Sequence, residues 1–143
     1  MAADDALHAD DVKLLAEVGY LAAGAGLYAE ALDVFNGLAV LRPVSAVPYL
    51  GLATVHLNRR QPDEAAAVLE RAQQLLEQPD DLGNVADADD RALVAAFRGV
   101  ALHCAHRHAE SDRVFRSIGT THDTPAARIA RGMLGLTRPG ETA

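Results

Sequence analysis

The residues of this sequence best suited to chemistry are the histidines and cysteine of HCAHRH, from His103 to His108. Imidazole and thiolate groups are the usual ligands of zinc, and His103, Cys104 and His106 lie close together along the chain. Zinc sites of the common kinds carry a further motif such as CxxC or HExxH, and neither is present. The cluster also crosses a predicted helix end, where a positive ring is favoured. We therefore interpret the histidines as surface residues and predict no metal and no cofactor.

Two other stretches have residue types that enzymes use. Cys104 has no accompanying motif of histidine and acid that would mark a nucleophile, so we expect a small buried hydrophobic residue. The glycines of Gly24-Ala25-Gly26 lack the preceding strand of a phosphate-binding loop and are better explained as a turn between helices. The sequence therefore predicts that the protein is not an enzyme.

Composition predicts a single all-α domain. The chain has 143 residues, half of them hydrophobic, with only three Phe, three Tyr and no Trp. Such a chain can bury a core, and its abundant alanine and leucine favour helices over strands.

The net charge limits the class of partner that the chain can bind, and the cysteine content indicates the cellular compartment. The net charge of −7 argues against nucleic acid, although residues 1–90 carry a balance of −11 and residues 91–143 one of +4. One cysteine excludes an internal disulfide, and no apolar run is long enough to span a membrane. Without a basic start the amino terminus is no secretory signal, so we expect a cytoplasmic protein.

The stretch GLYAEALDVFNGLAVLRP, from Gly26 to Pro43, belongs to a pattern that returns 34 residues later. That period is the length of a tetratricopeptide repeat, a pair of helices in which a small residue early in the second helix allows close approach of the first. Ala31 and Ala65 take the small position, and Phe35 and Leu69 the large one beside it. Three further apolar pairs match at the same shift: Leu15 with Tyr49, Val18 with Leu52, and Leu38 with Ala72.

A third unit follows with twelve extra residues. RHAES followed by Phe115 matches the second helix of the first two units, but at a shift of 46, so the insertion falls in the acidic stretch Gln78–Asp90. In the first helix of the third unit, Gly99 matches Gly19 at the shifts of 34 and 46, or Gly51 at a shift of 48. The two alignments of that helix differ by two residues. Thr124 and Pro125 predict the start of a terminal capping helix.

These patterns predict a tetratricopeptide superhelix of three helix pairs plus a C-terminal capping helix. Repeat 1 spans about 12–45, repeat 2 about 46–79, the acidic loop 78–90, repeat 3 about 91–119 and the cap about 124–137. The seven helices are expected near 11–24, 27–41, 45–58, 62–77, 88–104, 108–119 and 125–136.

Repeat proteins commonly bind partners on the concave face formed by the first helix of each unit. A charged cage for an acidic EEVD-type peptide is not expected, since Lys13 and Asn58 alone would suit it. The face instead suits an apolar segment, with Tyr20 as the best contact; Val47 and Leu50 are equally well explained as core residues. We predict eight partner-binding residues on this face: Lys13, Ala16, Tyr20, Val47, Leu50, Thr54, Leu57 and Asn58.

The stretch EVGYLAAGAGLYAEALDVFNGLAVLRP, followed by PYLGLATVHLNRRQPDEAAAVLERA, resembles the small tetratricopeptide proteins of bacterial type III secretion. These include class II translocator chaperones, needle chaperones and Hrp-cluster relatives, and the resemblance covers roughly residues 14–118. The acidic loop 78–90 and the Arg-rich later helices depart from them.

The resemblance implies a non-enzymatic bacterial chaperone that keeps a translocator, needle or filament subunit soluble until export. It also implies a homodimer or a small co-chaperone at one end, where an open first face near Val12, Leu15 and Val18 is expected. The alternative is a tetratricopeptide adaptor in an unrelated assembly, and an enzyme with a site at the histidine cluster is a distant third.

Overall fold

The computed structural model describes residues 8–136, and every regular element in that range is an α-helix. The all-α prediction is confirmed, and each helix begins and ends within two residues of its predicted position. The helices are α1 (Ala9–Gly24), α2 (Tyr28–Leu41), α3 (Val47–Asn58), α4 (Pro62–Leu76), α5 (Ala88–Cys104), α6 (His108–Ser117) and α7 (Pro125–Leu134).

The helices pack in two layers. Each helix contacts the next one along the chain, and α1, α3, α5 and α7 also contact one another in that order. Within the described residues, α2, α4 and α6 make no contact among themselves. The odd-numbered helices therefore form one continuous layer, and each even-numbered helix packs on it against the odd-numbered helices before and after it.

Small residues hold the two layers close together. Ala31, Ala65, Phe35 and Leu69 are completely buried, as the repeat pattern predicts for the interface within a helix pair. The ring of Phe35 lies between Gly19 on α1 and the backbone of α3 at Gly51, where a side chain would collide with it. One aromatic ring thus fills the space that two glycines leave open.

The turns within the three helix pairs have the same backbone conformation. Gly26, Arg60 and His106 each have positive φ, at 79°, 58° and 61° respectively. In each turn the next residue donates its N–H to the carbonyl five residues earlier, at 2.8 to 2.9 Å. These positions are separated by 34 and 46 residues, the two shifts found in the sequence.

Gly99 corresponds to Gly19 and not to Gly51. A side chain at Gly99 would meet the ring of Phe115, just as one at Gly19 would meet Phe35, and both pairs are sixteen residues apart. The two-residue ambiguity in the third unit is therefore resolved.

Two expectations about single residues are wrong. Cys104 is exposed, because it is the last residue of α5 and its side chain lies at the helix end. On α1, Val12 and Leu15 are half-buried against the core, and the exposed apolar residues are Leu14, Val18 and Leu21. Of the predicted first face, Val18 alone is exposed.

Candidate binding groove

The candidate site is an open groove of about 630 Å³ between α1 and the beginning of α3. α1 supplies one wall, while α3 and the segment that joins α2 to α3 supply the other. We refer to it below as the groove. Its lining residues are Ala9, Val12, Lys13, Ala16, Glu17, Tyr20, Arg42, Ser45, Val47 and Leu50.

Five of the eight predicted partner-binding residues line this groove. Lys13, Ala16 and Tyr20 lie on the same face of α1, because they are three and four residues apart. Val47 and Leu50 lie three residues apart at the start of α3. Leu50 is buried and belongs to the hydrophobic core, and it also forms the floor of the groove.

Thr54, Leu57 and Asn58 line no part of the groove. They lie in the second half of α3, whereas the groove is lined by Val47 and Leu50 of its first half. Thr54 donates its hydroxyl hydrogen to the carbonyl of Leu50 at 2.8 Å, Leu57 packs against the core, and Asn58 is exposed at the helix end.

Tyr20 is the one aromatic side chain in the groove. Its ring packs edge-to-face on buried Phe35, with centroids 5.0 Å apart, and 40% of the residue remains exposed. Burial raises the pKa of the phenol above its ordinary value of 10, against the opposite effect of a hydrogen bond with Thr54. The hydroxyl is therefore protonated at neutral pH and able to donate a hydrogen bond, while the ring presents rigid apolar area.

The chemistry of the groove is apolar with a few charges at its rim. Ala9, Val12 and Ala16 of α1 and Val47 of α3 give the lining its apolar character. Lys13 and Glu17, one turn apart on α1, place charges of both signs at the edge. Arg42 adds a second cation, and the rest of the lining is mostly apolar, which favours a segment with apolar side chains.

Sequence reasoning missed two kinds of lining residue. Val12 and Glu17 lie on the same stripe of α1 as Ala16 and Tyr20, so helical periodicity alone could have included them. Arg42 and Ser45 lie in the segment between α2 and α3. The alignment of the repeats does not predict where side chains outside helices point.

The histidine cluster is exposed and stands apart from the groove. Nδ1 of His103 lies 3.2 Å from Nδ1 of His108, and their rings meet edge-to-face with centroids 4.6 Å apart. Within residues 8–136 no group of three or more His, Cys, Asp or Glu is placed to hold a metal ion.

Comparison with protein-family models, with curated proteins and with solved structures finds no match to this chain. None of the helices in the described part of the chain is long and apolar enough to cross a membrane.

Proposed function

We propose that the chain is a tetratricopeptide superhelix of three helix pairs closed by α7. Two observations support this architecture. Turns with positive φ at Gly26, Arg60 and His106 recur at the shifts of the sequence pattern, and the odd-numbered helices stack in a single layer. The proposed repeats keep their predicted bounds of about 12–45, 46–79 and 91–119, with α7 covering the apolar side of α5 and α6.

We further propose that the protein is a non-enzymatic chaperone that holds an apolar segment of a bacterial type III secretion subunit in the groove. The observation that carries this proposal is the groove itself, which is open, mostly apolar and contains a half-exposed tyrosine. The resemblance of the first two repeats to secretion chaperones supplies the class of client: a translocator, needle or filament subunit.

The mechanism is binding without turnover. An apolar segment seated along α1 leaves water, and each side chain of leucine size that is fully buried contributes roughly 1.5–3 kcal/mol. The protonated hydroxyl of Tyr20 and the charges of Lys13 and Glu17 remain at the rim, where they can satisfy the polar groups of the client backbone. While bound, the segment cannot polymerise or enter a membrane.

The test is co-expression with individual secreted subunits, followed by measurement of soluble client and of the mass of the complex. Tyr20→Ala should weaken binding by about thirtyfold, equivalent to on the order of 2 kcal/mol for an aromatic contact at the centre of an interface. Val47→Asp should act similarly by placing a charge in the groove, while an acidic residue in the first turn of α3 is favourable to the helix.

The matched control is Tyr28→Ala, because Tyr28 is a half-buried tyrosine outside the groove, 5.6 Å from the guanidinium of Arg59. Binding should survive this change. If no secreted subunit is kept soluble, the chaperone proposal fails; a groove-dependent partner from another assembly would then favour the adaptor alternative. If the groove variants keep full affinity, the groove is not the binding site.

A further inference from the structure

A second pocket, of about 570 Å³, lies between the α2–α3 connection and the segment that joins α4 to α5. We refer to it as the loop pocket. It exists because of the twelve-residue insertion, since most of one wall comes from residues 80–87. Its lining combines exposed apolar side chains with carboxylates: Leu41, Leu82 and Val85 with Asp80, Asp87 and Asp90.

The apolar side chains of the loop pocket are held in water by an ordered turn. The carboxylate of Asp80 accepts hydrogen bonds from the N–H groups of Leu82 and Asn84 at 2.9 and 2.7 Å, and from the side-chain amide of Asn84 at 3.0 Å. The N–H of Asp80 donates to the carbonyl of Asn84 at 2.8 Å. Gly83, with φ of 82°, allows the reversal of the chain.

This turn leaves Leu82 82% exposed and Val85 68% exposed. Leaving such side chains in water forgoes the gain from their burial, and a polar residue at either position would fit the turn equally well. Because both side chains line the loop pocket together with Leu41, they present one apolar surface there.

The walls of the loop pocket are fixed to the rest of the fold. Ala86 is buried in the core, and the carboxylate of Asp87 caps α5 by accepting the N–H of Asp90 at 2.7 Å. Asp90 in turn accepts the N–H of Ala46, at the start of α3, at 2.9 Å. A partner would meet a preformed surface, so little ordering is needed for binding.

The three carboxylates outnumber Arg42, the one cationic side chain of the lining, and give the pocket a negative rim. Hydrogen bonds from the side chain and backbone of Asn84 hold the pKa of Asp80 below its usual value, so that carboxylate is ionised at neutral pH. Capping explains why aspartates stand at positions 87 and 90, but it does not explain why they surround exposed leucine and valine side chains. The combination is complementary to an apolar side chain that has cationic neighbours.

We propose that the loop pocket binds a segment of a partner protein in which leucine-sized apolar side chains are flanked by arginine or lysine. Leu82, Val85 and Leu41 cover the apolar side chains, and the rim carboxylates pair with the cations. The loop pocket meets the groove at Arg42 and Ser45, which line both, so one extended partner chain has room to occupy the two sites. The inference nevertheless stands without the proposed function of the groove.

The test uses a fluorescein-labelled peptide of sequence GSRLRLRSG and two companions, with glutamate for every arginine or alanine for every leucine. Fluorescence anisotropy should show saturable binding of the first peptide to the full chain, weakened at high salt, and little binding of the companions. Leu82→Ser should weaken binding about tenfold by removing apolar contact. Asp87→Asn should also weaken it, since asparagine preserves the helix cap and removes the charge.

Two variants control for general attraction to a chain of net charge −7. Leu27→Ser removes a leucine that is 51% exposed at the turn between α1 and α2, and Asp112→Asn removes an exposed carboxylate on α6. Both should leave the affinity for the peptide unchanged. Absence of saturable binding, full affinity in Leu82→Ser and Asp87→Asn, or equal losses in the two controls would each overturn the inference. Tyr20→Ala distinguishes the loop pocket from the groove. It removes a side chain of the groove, so the affinity of the loop pocket for the peptide should not change.

Discussion

At the scale of residues, glycine sets how closely the helices of a pair approach. A Cβ atom at Gly99 would lie 2.6 Å from the ring of Phe115, a distance that real contacts do not reach. Gly99→Ala should therefore overpack the core and lower the free energy of unfolding by about 1–3 kcal/mol, measured by urea denaturation.

Gly37 provides the matched control for Gly99, because it lies in the interior of α2 and a Cβ atom added there would meet nothing within 4 Å. Gly37→Ala should raise stability by about 0.5–1 kcal/mol through helix propensity. Equal effects of the two substitutions would show that Gly99 does not limit the approach of α5 and α6.

Residue positions inside the helix pairs could be predicted from the sequence, whereas those at helix ends could not. Ala31 and Phe35 follow a spacing that leaves a single packing solution, and both are buried as predicted. Cys104 is exposed against prediction, because burial at the last turn depends on where α5 stops relative to its neighbours. Tyr20 lines the groove and follows the periodicity of α1, while Arg42 lies outside any helix and has no periodic signal.

At the scale of elements, the turn within each helix pair requires a left-handed residue. Glycine occupies this position in the first pair and adopts φ of 79° without penalty. Gly26→Ala should therefore lower stability by about 1 kcal/mol, since alanine is strained in that conformation. Thermal unfolding followed by circular dichroism measures the change.

The equivalent position in the second pair offers the reverse experiment. Arg60 has φ of 58°, so Arg60→Gly should relieve strain and leave stability unchanged or slightly raised. A loss with Arg60→Gly as large as that with Gly26→Ala would contradict the equivalence of the two turns.

Helix positions are predictable because their ends are marked locally. Pro62 and Pro125 stand at helix starts, and Thr124 caps α7 by accepting the N–H of Ala127 at 3.1 Å. The conformation of the inserted segment is not predictable in this way. Its length follows from the change of shift, but the turn around Asp80 depends on hydrogen bonds that a repeat pattern does not specify.

At the scale of the whole molecule, α1 is the first helix of the described residues. α1 contacts α2 and α3, and within the described residues no helix precedes it in the stack. The predicted open face of Val12, Leu15 and Val18 is rotated about the axis of α1 relative to the face that is exposed. An α-helix turns by 100° per residue, so an error of one residue in the alignment is enough to select a neighbouring face. The structure places Leu14, Val18 and Leu21 there.

The open face of α1 resembles in composition a face that is buried further along the chain. The residues 34 positions later are Pro48, Leu52 and Val55, and they are buried in α3, which packs against α2. The face of α1 therefore has the same apolar character as a face of α3 that is buried in the fold. Such a face on a free monomer favours association.

We expect the purified chain to form a dimer or a mixture of weakly associated species through α1. The contact involves few turns of one helix, so its area lies at the low end for specific complexes and dissociation on dilution is expected. Light scattering after size exclusion, over a range of protein concentrations, measures the mass.

Leu21→Ser should shift the protein toward monomer without loss of stability, because that side chain is already exposed. Val40→Ser, at an exposed valine of α2, should leave the mass unchanged. A chain that stays monomeric at high concentration, or one that associates equally well with serine at position 21, would show that the open face of α1 does not hold two copies together.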